Sequence, residues 1–133
     1  MAEIKTILTP GAPTPVGHYS QALVYGGLVY VSGQLGIDPK ARDRRVGSVE
    51  EQTNQALLNI SEILKAAGSD LGCVLKMTVY VTDMARLRPL VNKVQEELWG
   101  GGPYPPRTIV EVARLNQDDI FEVEGTFYAP EKG

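Results

Sequence analysis

The sequence predicts an α+β fold in the order β-β-α-β-α-β-β, with two helices on one face of a mixed sheet. Two observations carry that reading. Two segments repeat apolar residues at helical period between clear start and stop signals, and β-rich runs lie before, between and after them. A strand–helix–strand unit within one sheet crosses over right-handed, which puts both helices on the same face. At 133 residues the chain fits one domain, 1–133, long enough to bury a core without disulfides.

The elements follow in order. Thr9 to Val16 holds three prolines and a glycine and reads as an irregular arm. Ala22–Tyr25 and Leu28–Val31 flank Gly26-Gly27, a hairpin signal because a two-residue primed turn needs positive φ. Asp38 to Gly47 is polar, a loop made locally basic by Lys40, Arg42, Arg44 and Arg45. No aromatic residue interleaves those charges, so a solvated loop is favoured over an RNA contact. Ser48-Val49-Glu50-Glu51 has capping-box spacing, and Ala56, Leu57, Ile60, Ile63, Leu64 and Ala67 follow on one stripe up to Gly68. Cys73–Val81, rich in Val, Tyr and Thr, reads as a strand. Asp83 caps a second helix whose stripe is Leu87, Leu90, Val91, Val94 and Leu98, ended by Gly100-Gly101-Gly102-Pro103. Arg107–Ala113 and Ile120–Tyr128 are the last strands. A short polar turn around Asn116 to Asp119 predicts that they form a second hairpin.

Those strands are apolar at both parities, whereas the helices cover only one face. The other face is therefore expected against another subunit, in a homo-oligomer with sites at its seams. The net charge of −3 gives no pull toward nucleic acid or an anionic membrane. One cysteine, Cys73, excludes an internal disulfide, and one histidine, His18, disfavours a zinc cage. No signal peptide is read at the start, and Ala22–Val31 is too short to span a bilayer. A cytoplasmic protein without metal or cofactor is expected.

Chemistry concentrates on the last two strands. Pro105 and Pro106 cannot donate to a sheet ladder, so Arg107 stands at a strand mouth, where its guanidinium can hold a planar carboxylate through two parallel bonds. Alternation puts Arg107, Ile109, Glu111 and Ala113 on one face, and Glu122, Glu124, Thr126 and Tyr128 on one face of the final strand. A hairpin centred near Asn116-Gln117 would set Glu122 across from Glu111 and Thr126 across from Arg107, all together. A buried carboxylate there is paired or has a raised pKa, which suits a group that handles water. Cys73 reads as core, and His18 has no nucleophile and acid to join.

Six pieces in order carry a resemblance along nearly the whole chain. They are Tyr19-Ser20-Gln21-Ala22, Ser32-Gly33-Gln34-Leu35-Gly36, Ala66-Ala67-Gly68, Val79-Tyr80-Val81-Thr82-Asp83, Pro106-Arg107 through Glu111-Val112-Ala113-Arg114-Leu115, and Phe121-Glu122-Val123-Glu124-Gly125. The chain resembles the RidA (YjgF/YER057c/UK114) family. The resemblance implies a chorismate-mutase-like α+β fold, a trimeric barrel with inter-subunit clefts, and cofactor-free hydrolysis of reactive imines and enamines. Those substrates, 2-iminobutanoate, 2-iminopropanoate and 2-aminoacrylate, would give 2-oxo acids and ammonia. By position, Arg107 would grip the substrate carboxylate and Glu122 would orient or activate water. Tyr19, Ser32 and Gly33 would wall the pocket, Asn92 would add a polar group, and Thr108 and Ile109 would contact substrate, the Ile109 backbone meeting the imine.

Three positions depart from the family's frequent pattern: His18 and Asn116 stand where proline is frequent, and Ile109 where cysteine is. Ile109 makes the pocket more apolar and tighter without touching the Arg107 and Glu122 route. Two other readings stand beside the deaminase: a regulatory trimer that binds 2-oxo acids without turnover, and an endoribonuclease, which the acidic net charge disfavours.

Overall fold

In chain order the elements are β1 (Lys5–Ile7), β2 (Ala22–Tyr25), β3 (Leu28–Leu35), α1 (Val49–Ala66), β4 (Val74–Val81), α2 (Met84–Trp99), β5 (Arg107–Glu111) and β6 (Phe121–Tyr128). This computed structural model describes residues 3–40 and 47–130, and the basic positions Arg42, Arg44 and Arg45 lie outside the described residues. The strands form one mixed sheet in the order β1-β2-β3-β6-β4-β5. All neighbours are antiparallel except β4 and β5, which run parallel and are joined by α2.

The local signals act as their chemistry requires. Gly26 and Gly27 take φ of 58° and 80°, and the β2–β3 hairpin closes around them. At α1, the Ser48 side chain accepts from the Glu51 N–H while Glu51 reaches back to the Ser48 backbone, the reciprocal capping box. Asp83 caps α2 by accepting from the Arg86 N–H.

One core lies between the two helices and one face of the sheet. Ile60, Ile63 and Leu64 of α1, Leu87, Val91 and Val94 of α2, and Val29, Val79, Val81, Phe121 and Val123 of the sheet are all buried in it. The opposite face carries Leu23, Tyr30, Thr78, Tyr80, Val110, Glu122, Glu124 and Tyr128, none fully buried. Both helices do sit on one face, as expected. No helix among the described residues is long and apolar enough to cross a membrane.

The structure departs from the sequence reading in several places. The last two strands are not a hairpin, because β6 inserts between β3 and β4 while β5 lies at the sheet edge. The connection passes around the end of β4, where the Val112 N–H donates to the Val81 carbonyl and the Thr82 N–H to the Ile120 carbonyl. Burial explains the choice. β6 presents Phe121, Val123 and Phe127 to the core and fits a central position, whereas β5 is short and proline-led, properties suited to an edge. β5 ends at Glu111 rather than Ala113, and β4 begins at Val74, after a 3-10 turn over Leu71–Cys73. On α2, Leu98 is 45% exposed, while Gln95, polar and off the expected stripe, is 6% exposed. Finally, β1 pairs with β2 without a sequence signal strong enough to announce a three-residue strand.

Candidate functional site

Arg107 opens β5 opposite Met77 of β4, and Met77 points into the core. The guanidinium therefore lies on the helix side of the sheet edge, half-buried beneath α2. Its Nη1 donates to Asn92 Oδ1 at 2.6 Å and to Gln95 Oε1 at 2.5 Å, two amides one helical turn apart. Gln95 is fastened in turn, its Nε2 donating to Met77 Sδ at 3.2 Å. Asn92, Gln95, Glu96, Tyr104, Pro105 and Arg107 line a cavity of about 460 Å³. Burial, with the Arg88 charge adding to it, lowers the Arg107 pKa. A guanidinium nonetheless stays protonated throughout the range in which proteins work.

Glu122 stands on the open face of β6, level with Tyr80 of β4 and Leu35 of β3. The β3–β6 register shifts between Val31 and Gln34, and Gly33 lies in that bulge. A Cβ on Gly33 would come within 2.8 Å of Glu122 Oε2, so glycine is what lets the carboxyl lie against the β3 backbone. Ser32 precedes it with its hydroxyl donating to the Ser20 carbonyl at 2.5 Å, tying the arm to the bulge. Tyr19, half-exposed, borders a small cavity with Gly33, Gln34, Leu35, Asn116 and Gln117. Burial raises the Glu122 pKa, and the Glu124 and Asp119 charges add to it. Glu124 accepts a 2.7 Å bond from the Tyr80 hydroxyl, which holds that second charge in place.

The sign of the Glu122 shift makes a stability prediction. A carboxyl raised in the fold keeps its proton over a pH range where the unfolded chain has released it. Stability therefore falls as pH rises from about 4.3, the ordinary Glu value, through the raised one. Glu122→Gln carries no charge to desolvate. It is expected to melt above the wild type at pH 7, with the gap closing toward pH 4. A pH-independent gap in thermal melts, or one of opposite sign, would contradict a desolvated Glu122.

The two groups do not meet within one chain. Arg107 with Asn92 lies on the helix side, and Glu122 with Gly33, Ser32 and Tyr19 gathers at the bulge on the open side. The predicted alignment of Glu122 with Glu111 and of Thr126 with Arg107 is corrected. Glu122 is level with Tyr80, Thr126 with Lys76, and Glu111 with Val81. The turn was a sound local cue, but pairing followed burial. Thr108 is exposed on the open side beside Thr78, and Ile109 is half-buried against the core beside Val79. Cys73 is buried, as a core residue should be. Among the described residues, no group of three or more His, Cys, Asp or Glu could hold a metal ion. Sequence reasoning missed Gln95. A glutamine three residues after Asn92 and four after the core-stripe Val91 was its available signal.

Residues 9–129 match the family described as Endoribonuclease L-PSP. A RutC family protein of Pyrococcus horikoshii is 42% identical over 124 residues, covering 93% of this chain and 97% of that one. A 2-iminobutanoate/2-iminopropanoate deaminase of Bos taurus is 41% identical over 120 residues, covering 90% and 86%. The crystal structure of RidA from the Antarctic bacterium Psychrobacter sp. superposes with a TM-score of 0.86 at 40% identity, covering 93% of this chain and 98% of that one. With nearly the whole chain matched in sequence and in fold, this protein belongs to the Endoribonuclease L-PSP family, the YjgF/RidA family.

Proposed function

We propose that this chain hydrolyses 2-imino acids to 2-oxo acids and ammonia, in a homotrimer whose clefts join the Arg107 group of one subunit to the Glu122 group of its neighbour. The observation that carries the reading is Arg107. It is held from one side at a strand mouth, with N–H groups left over, on the wall of a cavity sized for a small molecule. The deaminase name of the bovine relative supports the reaction. The uncovered sheet face supports the assembly, because Arg107 and Glu122 sit on opposite faces and only a second subunit could bring them together.

The chemistry is modest. Water adds to the C=N carbon, forming a C–O bond, and the nitrogen takes up a proton. The hydroxyl proton then passes to that nitrogen as the C–N bond breaks and the C=O bond forms, releasing ammonia and leaving the 2-oxo acid. Arg107 holds the carboxylate and fixes the carbon. Glu122 accepts a proton from the attacking water and returns it to the nitrogen, and the burial that raises its pKa makes the carboxylate a stronger base for the first transfer. Tyr19, Ser32, Gly33, Thr108 and Ile109 shape the cleft, and Asn92 steadies Arg107. The imine is already electrophilic, so positioning and one proton carrier suffice.

The test follows 2-oxobutanoate release from 2-iminobutanoate generated in situ by an amino-acid oxidase. The expected outcome is clear acceleration over buffer, with kcat/KM falling as pH drops through the raised Glu122 pKa and a loss of about 10²-fold or more in Glu122→Gln. A trimeric protein that binds 2-oxobutanoate without accelerating its formation would replace this reading with the sensor. The net charge of −3 gives the RNA reading no support.

A further inference from the structure

We propose that Gln95 is a positioning residue which, together with Asn92, fixes Arg107 so that a ligand carboxylate docks on its Nε–Nη2 edge alone. The inference rests on the carboxylate role of Arg107 proposed above and adds the direction of approach and the residues that set it.

A guanidinium has five N–H donors: two on Nη1, two on Nη2 and one on Nε. Both amide oxygens address Nη1, at 2.6 Å from Asn92 and 2.5 Å from Gln95, so the two Nη1 hydrogens are committed. The amide orientations are forced, since a guanidinium only donates and an NH₂ group facing Nη1 would set donor against donor. The symmetric end-on fork, Nη1 with Nη2, is thereby closed to a carboxylate. The side-on fork, Nε with Nη2, has no partner among the described residues.

The two amides differ in stiffness. Asn92 is exposed, whereas Gln95 is 6% exposed and anchored to Met77 Sδ, on the strand that pairs with β5. Gln95 thus joins α2, β4 and Arg107, and its carbonyl reaches the guanidinium as a fixed point. Restricting rotation before the ligand arrives lowers the ordering cost of binding, so the effect should appear mainly in affinity. Gln95 contacts no reacting atom in this arrangement.

The experiment titrates 2-oxobutanoate and its neutral analogue 2-oxobutanamide calorimetrically into wild type, Arg107→Ala, Gln95→Met and Gln95→Glu. The ¹⁵N–¹H signals of the Arg107 Nη groups are recorded at low temperature on the same samples, Arg107→Ala serving to assign them. Gln95→Met keeps the buried volume and removes the acceptor. It is expected to weaken 2-oxobutanoate about ten-fold, to leave 2-oxobutanamide unchanged, and to merge Nη signals that are resolved in the wild type. In turnover, KM should rise about as much while kcat stays within two-fold. Gln95→Glu keeps the acceptor and should keep the signals resolved. Wild-type affinity and resolved signals in Gln95→Met, alongside weakened binding in Arg107→Ala, would overturn the positioning role and leave the carboxylate clamp standing. Unchanged 2-oxobutanoate binding in Arg107→Ala would overturn the clamp and this inference together.

Discussion

Arg107→Ala is expected to lower kcat/KM for 2-iminobutanoate by about 10²–10³-fold, the loss of a charge-assisted two-bond grip worth roughly 3–4 kcal/mol. The substitution has a second consequence. Gln95 Oε1 loses its acceptor role in a nearly buried position, which costs about 1–3 kcal/mol of stability. The two effects separate in Arg107→Lys, where an ammonium restores charge and one donor but not the planar fork. Arg107→Lys should melt closer to the wild type than Arg107→Ala does, yet remain at least about ten-fold impaired in kcat/KM. Full activity in the lysine variant would show that only positive charge is needed at the strand mouth. Steady-state kinetics and thermal melts on the three proteins decide it.

Gly36→Ala is expected to destabilise the protein by about 3 kcal/mol, a fall in melting temperature on the order of 10 °C. A Cβ at Gly36 would overlap the Gln52 carbonyl oxygen and lie 2.7 Å from its Cα, so the obstacle is helix backbone rather than a side chain that can swing away. The helix cannot easily retreat. Buried Asn59, two turns further along the same face of α1, donates to the Leu35 carbonyl at 3.1 Å and to the Ile37 carbonyl at 2.8 Å, clamping α1 to the chain on both sides of Gly36. Displacement would strain those bonds and disturb the β3 segment that carries Gly33 against Glu122. Gly101→Ala is the control, since its added methyl meets open space and should change stability by no more than about 0.5 kcal/mol. Equal melting temperatures for the two variants would show that α1 slides freely on β3.

Much of the architecture was legible because its signals are local. Ser48 with Glu51, Asp83, and Gly26-Gly27 each satisfy or turn the backbone with residues two or three positions away, and each acts where the sequence places it. The apolar stripe of α1 predicts its buried face for the same reason. The stripe of α2 fails at Leu98 and overlooks Gln95, because helical period says which residues share a face but not where the opposing surface ends.

The site divides along the same line. Sequence alone determined which residues could do chemistry: an arginine released from two prolines at a strand start, and a carboxylate among strand residues that alternate into a core. It determined the element types, and it set both helices on one face through the handedness of the crossover. Tertiary structure decided the rest. Strand order is a competition for burial, so β6, with Phe121, Val123 and Phe127, takes the centre and leaves β5 at the edge, whatever the turn between them favours. That order places Arg107 and Glu122 on opposite faces, commits Nη1 of Arg107 to two amides of α2, and seats Glu122 on the bare backbone of Gly33. Contacts between residues distant in the chain are selected by packing energy summed over the whole core, and no short window of sequence contains that sum.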